Sequence, residues 1–140
     1  MTIIESNLQL VRNWVEIGWN RDNSERLTEF LAPSFMNEGK PATIDVLIQF
    51  NRQQRATFQD LRYVIEDIFA TEERVCFRWT ATGLHVGMLW GFIPPSNKHV
   101  SWSGIHMLRI VDHRITEIWA TSTMVAMLQQ IGVTLQPPAS

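Results

Sequence analysis

An α+β domain is predicted, on three observations. Apolar residues recur at helical spacing through residues 5 to 51. The period changes to two from Leu61. A short helical pattern closes the chain after Met124. Helices first and a meander of long antiparallel strands after them place a helical layer on a curved antiparallel sheet. Layers stacked in that way leave room for a conical cavity, a common place for a ligand.

The elements follow in order. Leu8, Val11, Val15 and Trp19 share one helical face over residues 5 to 20, widened by Leu10, Trp14 and Ile17. Asn20 to Asn23 break the pattern. Asp22 with Glu25 resembles a capping box for a short second helix reaching Leu31, which Ala32-Pro33-Ser34 stops. A turn at Gly39 to Pro41 precedes a third helix, with Thr43 as its cap and Ile44, Leu47, Ile48 and Asn51 along one face. Leu61, Tyr63, Ile65, Asp67 and Phe69 then alternate with Arg62, Val64, Glu66 and Ile68 as a strand. Thr71 to Glu73 turn the chain into a second strand, where Val75, Phe77, Trp79 and Ala81 share a face. A third strand covers roughly Lys98 to Val111, and Asp112-His113 lead into a fourth, Arg114 to Thr121. Met124 to Ile131 reads as a helix ended by Gly132, and the Pro-rich end, residues 135–140, as a loose tail.

Composition narrows the function. The 140 residues fit a single domain spanning 1–140, and a 45% hydrophobic content suffices for one core. A net charge of −2 with scattered basic residues argues against nucleic acid or an anionic membrane as partner. Cys76 is the single cysteine, which excludes an intrachain disulfide and a cysteine-based metal site; a buried inert thiol on a strand is its expected role. No apolar run approaches the roughly 18 residues of a membrane span, and the start lacks a basic-then-apolar leader, so a cytoplasmic protein is expected. Six tryptophans and six methionines either fill the core or line an oily pocket.

The stretch Gly83-Leu84-His85-Val86-Gly87, running toward Pro94-Pro95, concentrates chemistry at a strand end beside Trp79 and Trp90. A histidine there can exchange a proton near neutral pH, and glycines permit close backbone approach. It reads equally as a solvated loop.

These residues resemble the SnoaL-like polyketide cyclases of the NTF2-like superfamily. The resemblance rests on Phe58-Gln59-Asp60-Leu61-Arg62, Arg74-Val75-Cys76-Phe77-Arg78-Trp79 and Gly83-Leu84-His85-Val86-Gly87. Gly91-Phe92-Ile93-Pro94-Pro95, Ser103-Gly104-Ile105, Arg109-Ile110, Glu117-Ile118-Trp119 and Gln129-Gln130-Ile131-Gly132 extend it over residues 5 to 134. It implies a cone-shaped fold around a deep apolar pocket and a dimer or higher oligomer. It also implies ring closure of a polyketide by an intramolecular aldol reaction without metal or organic cofactor. Relatives also isomerise, hydroxylate or hydrolyse small molecules, so the fold hosts activity without proving it.

The chain departs from that pattern where chemistry is expected. The family's acid/base aspartate follows the tryptophan of the last strand directly or four positions on, and those positions hold Ala120 and Thr123. Asn37 stands where a histidine is usual, and Leu84 where a threonine is. An aldol step needs a base beside the carbonyl and a donor for the enolate. Among the remaining ionisable residues, His106 shares parity with Trp102, Gly104 and Leu108. It is either a satisfied core histidine or a desolvated, neutral base on the cavity wall. In an enzyme, His106 is expected as base and His85 as donor or second base. Arg78 reads as a surface ion pair or as a clamp in the pocket, with equal weight. Trp79, Trp90, Trp102, Trp119 and Met88, with Asn37 and Thr123, complete the expected substrate contacts; Trp90 suggests a lid or a subunit contact. Asp67 and Glu117 are expected as a solvated or hydrogen-bonded pair of strand charges, and His99 and His113 at the surface.

Three readings follow. One is a cofactor-independent enzyme acting on an apolar, carbonyl-bearing small molecule by ring closure or isomerisation. Another is a binder that keeps the pocket but has lost the aspartate. The last is an interaction module. Sheet faces rich in Trp and Ile favour a homodimer.

Overall fold

The computed structural model describes residues 1–139; Ser140, the end of the expected tail, lies outside the described residues. Thr2 and Glu5 form a capping box that starts helix α1, Ile3–Asn13. The helix does not stop at Asn13. It widens into a π-helical stretch, Trp14–Asn20, which buries Trp14, Val15 and Gly18. The short second helix is a 3₁₀ segment, Ser24–Glu29, and the capping box expected from Asp22 does not form. Asp22 instead adopts a left-handed φ of 50° and lies 4.0 Å from Arg55.

Two strands follow that sequence periodicity did not suggest: β1, Leu31–Asn37, and β2, Lys40–Thr43. They form a hairpin through Glu38 and Gly39, both at positive φ, as a two-residue turn of the I′ type requires. Pro33 offers no N–H, and it sits where the pairing of β1 with β6 shifts register between Leu31 and Met36. Helix α2, Ile44–Thr57, begins after Thr43, whose side chain makes no capping bond.

The long strands are β3, Phe58–Ala70; β4, Arg74–His85; β5, His99–Val111; and β6, Arg114–Ser122, followed by helix α3, Met124–Gln130. The six strands form one sheet in the order β2-β1-β6-β5-β4-β3. All neighbours are antiparallel except β1 and β6, so the sheet is mixed rather than purely antiparallel. In β4 and β5 the expected alternation holds: Val75, Phe77, Trp79 and Ala81 are buried, as are Val100, Trp102, Gly104 and Leu108. In β3 it does not. Bulges at Gln59–Arg62 and Ile65–Asp67 each add a residue to one side of the ladder. After the second bulge the faces exchange, so Asp67 and Phe69 point outward while Ile68 and Ala70 pack on the core.

The π-helical stretch is the part of the helical layer that most shapes the interior. Its closing carbonyls would be orphans at a helix end. Asn51 of α2 donates to Gly18 O at 3.1 Å, and Arg55 donates to the carbonyls of Trp19 and Asn20. Asn20 donates to Tyr63 O and accepts from Tyr63 N–H, at 2.9 and 2.7 Å, which occupies the free edge of β3. No helix is long and apolar enough to cross a membrane.

Candidate functional site

A cavity of about 330 Å³ lies between the helical layer and the inner face of the sheet. That volume is in the range of small-molecule sites. Its walls are aromatic: Trp14 and Trp19 come from the π-helical stretch, Trp79 from β4, Trp102 from β5 and Tyr63 from β3. Trp19 is the hub, with its ring centre 5.0 Å from Trp14, 5.0 Å from Tyr63 and 5.9 Å from Trp79, all edge to face. Gly104 makes the arrangement possible. It pairs with Trp79 across β4 and β5, and a Cβ there would come within 2.2 Å of the indole.

His106 stands in this aromatic wall. It stacks on Phe77 at 5.2 Å and meets Trp19 at 5.0 Å. Burial pushes its pKa down to about 4 from an ordinary 6.5, so the ring is neutral at physiological pH. Trp79 Nε1–H donates to His106 Nδ1 at 2.9 Å. The other titratable side chain at the cavity is Tyr63. Burial pushes its phenol up, offset in part by a hydrogen bond with Gln54, so it too stays neutral. None of the described lining residues is acidic. Polar contacts come instead from amides and hydroxyls: Asn37, Asn51, Gln54, Thr121 and Ser122. Among the described residues no three His, Cys, Asp or Glu side chains gather as a metal site would require.

The residues singled out in the sequence separate into two groups. His106, Trp79, Trp102 and Asn37 line the cavity, and so does Ala120, where the family pattern places an aspartate. The others lie elsewhere. His85 ends β4 fully buried, and its Nδ1 lies 2.9 Å from Ser96 Oγ and accepts from Ser96 N–H at 3.1 Å. It holds the loop to β5 and does not reach the cavity. Arg78 falls on the outward parity of β4, opposite Asp67 and Ile105, which removes it from the pocket. Trp119 is also outside, donating to Glu117 Oε1 at 3.1 Å. Met88 and Trp90 are exposed on the loop after β4, and Trp90 takes a φ of 54°. Thr123 precedes α3 and accepts from Ser103 N–H at 3.0 Å, a structural role. Hydrogen bonds from Trp119 and, at 3.0 Å, from Arg109 hold the half-buried Glu117 carboxyl below the usual range.

Asn51, Gln54 and Tyr63 are cavity residues that sequence reasoning did not assign to the site. The signal was present. Asn51 lies on the apolar face of α2, and Gln54 follows Leu47 by seven positions on that face, where a polar group needs a partner. Tyr63 shared the inner parity of β3 with Leu61.

The SnoaL-like polyketide cyclase model matches residues 9–131. The solved structure of IdmH from Streptomyces antibioticus, assigned as a polyketide cyclase, is 27% identical with a TM-score of 0.80, over 91% of this chain and 99% of that one. AclR from Streptomyces galilaeus, assigned as a hydroxylase, is 26% identical with a TM-score of 0.80, over 96% and 90%. A SnoaL-like protein of Jannaschia sp. CCS1 shares the fold at a TM-score of 0.83 and 22% identity, over 99% and 97%. No curated protein matches the chain. The chain belongs to the SnoaL-like polyketide cyclase family.

Proposed function

We propose that this protein is a cofactor-independent enzyme that binds a hydrophobic, carbonyl-bearing, polyketide-like small molecule and acts on it by acid/base chemistry such as ring closure or isomerisation. The observation that carries the reading is His106, a neutral imidazole in the wall of an aromatic cavity. Flat tryptophan faces suit fused rings, and the uncharged lining suits a neutral ligand whose oxygens meet amides, hydroxyls and the imidazole. In a site screened from water, a hydrogen bond to a developing enolate oxygen is worth more than in solution. The likeness to IdmH and AclR supports a small-molecule substrate.

A second reading, a binder without turnover, is favoured by the acid-free lining and by Ala120 at the position of the family's aspartate. One experiment separates the two. The protein is screened by thermal shift against uncharged polycyclic quinones and polyketide-like ketones, and each mixture is examined by mass spectrometry. A stabilising compound whose mass or retention changes supports the enzyme, with His106→Phe lowering turnover at least tenfold. Stabilisation without any product supports the binder. Stabilisation by none of these carbonyl compounds sinks both.

We propose further that two copies pair through the outer face of the sheet. Phe69, Cys76, Met107 and Trp119 form one row across β3, β4, β5 and β6, with Phe69 65%, Met107 44% and Trp119 42% exposed. A row of that kind suits a self-complementary contact about a two-fold axis.

A further inference from the structure

We infer that Trp79 is a positioning residue that holds His106 in its Nε2–H form, so that the cavity is offered a hydrogen-bond donor and not a base. The inference rests on the function proposed above for the same site and assigns the imidazole's part in it. An indole N–H donates and accepts nothing. With Trp79 Nε1 2.9 Å from His106 Nδ1, that ring nitrogen must carry the lone pair. A neutral imidazole has one proton, which is therefore on Nε2.

The surroundings enforce this choice. Protonating Nδ1 would set two N–H groups against each other. The ring's aromatic neighbours are Phe77, Trp14, Trp19 and Trp79; the described residues lining the cavity include no Asp, Glu, Lys or Arg, and Tyr63 is the other titratable group there. Trp79 has little freedom to turn away, because its indole packs over Gly104 and between Trp19 and Tyr63. The described buried side-chain atoms that lack a partner are Arg55 Nε and His85 Nε2. His106 Nε2 is not one of them, because the ring borders the cavity. Its proton is available to a ligand oxygen.

The consequence is a division of labour. A carbonyl oxygen bound at Nε2–H is polarised, and the enolate formed from it is held by the same bond. The proton lost from the adjacent carbon does not go to His106, whose lone pair is occupied. It passes to a basic oxygen of the substrate itself. Removing the Trp79 donor frees Nδ1 and lets the ring exchange tautomers.

Ring-nitrogen NMR on the full chain labelled with ¹⁵N-histidine and ¹⁵N-tryptophan tests this without a substrate. At pH 7 the expected His106 pattern is a pyrrole-like Nε2 and a pyridine-like Nδ1, with a scalar coupling across the Trp79–His106 hydrogen bond. In Trp79→Phe the two ring shifts converge toward a tautomer mixture, while the burial that keeps the ring neutral at pH 7 remains. A wild-type ring that is Nδ1–H or doubly protonated at pH 7 overturns the inference, as does a folded Trp79→Phe with unchanged shifts. Should that variant not fold, the wild-type coupling decides: its presence supports the assignment and its absence defeats it. A second arm adds 1,8-dihydroxyanthraquinone, with anthracene as the carbonyl-free control. A perturbed Nε2–H with the quinone alone supports the donor role. The expected tautomer with no response to either compound leaves Trp79's role intact and counts against the proposed ligand class. A quinone response from an Nδ1–H ring does the reverse.

Discussion

His106 is the residue through which the cavity's chemistry becomes measurable as stability. Its folded pKa is depressed to about 4 from 6.5, so between those values the unfolded chain binds more protons than the folded one. Stability from this group is therefore complete above pH 6.5 and is lost as pH falls toward 4. The loss amounts to roughly 3 kcal/mol. Denaturant unfolding of wild type and His106→Phe at pH 7 and pH 5 checks it. Wild type should lose more on acidification than the variant does, and equal losses would contradict the depressed pKa. His85 is a contrasting case. It is as buried as any residue, yet its hydrogen bonds go to Ser96 of a connecting loop. Its sequence setting of glycines and aromatics reads equally as a pocket rim and as a solvated loop, and it is neither. Parity identified the histidine on the inner face; composition of the neighbourhood did not.

Among the elements, the π-helical stretch is the one on which the site depends. It supplies Trp14 and Trp19 to the cavity. Asn20 fastens it to the edge of β3 through two bonds to Tyr63, and Arg55 and Asn51 fasten it to α2. Asn20→Ala leaves both backbone groups of Tyr63 without that partner. It is expected to cost about 1–3 kcal/mol, read as a fall in the denaturation midpoint, with a weaker thermal response to any ligand that binds beside Trp19. A change below about 0.5 kcal/mol would mean that water replaces the amide without loss. Helical spacing over residues 5 to 20 predicted the apolar face correctly but not the wider turn, because a π turn moves side chains by a fraction of a helical step. Pro33 and Pro41 read as breakers in the sequence; the ladder that holds β1 comes from β6, some eighty residues away, and β2 pairs on β1 as the edge strand.

For the whole molecule, the sheet has two faces with different fates. The inner face packs on the helices and encloses the cavity, while the outer carries the row Phe69, Cys76, Met107 and Trp119. Met107→Glu places a charge in the middle of that row without touching the cavity. In sedimentation velocity, wild type should run as a dimer and the variant as a monomer with an unchanged unfolding midpoint; a monomeric wild type would refute the pairing. The amino-acid sequence by itself determined the α+β class, the order of the long strands, the inner faces of β4 and β5 and, through its resemblance, the family. These are legible because burial imposes a local period on side chains. Only the tertiary structure decided that β1 runs parallel to β6, that a bulge turns Asp67 and Phe69 outward, and that Arg78 and Trp119 lie outside the cavity. It also decided which nitrogen of His106 meets Trp79. Register, face after a bulge and tautomer depend on neighbours far away along the chain, and no local period carries that information.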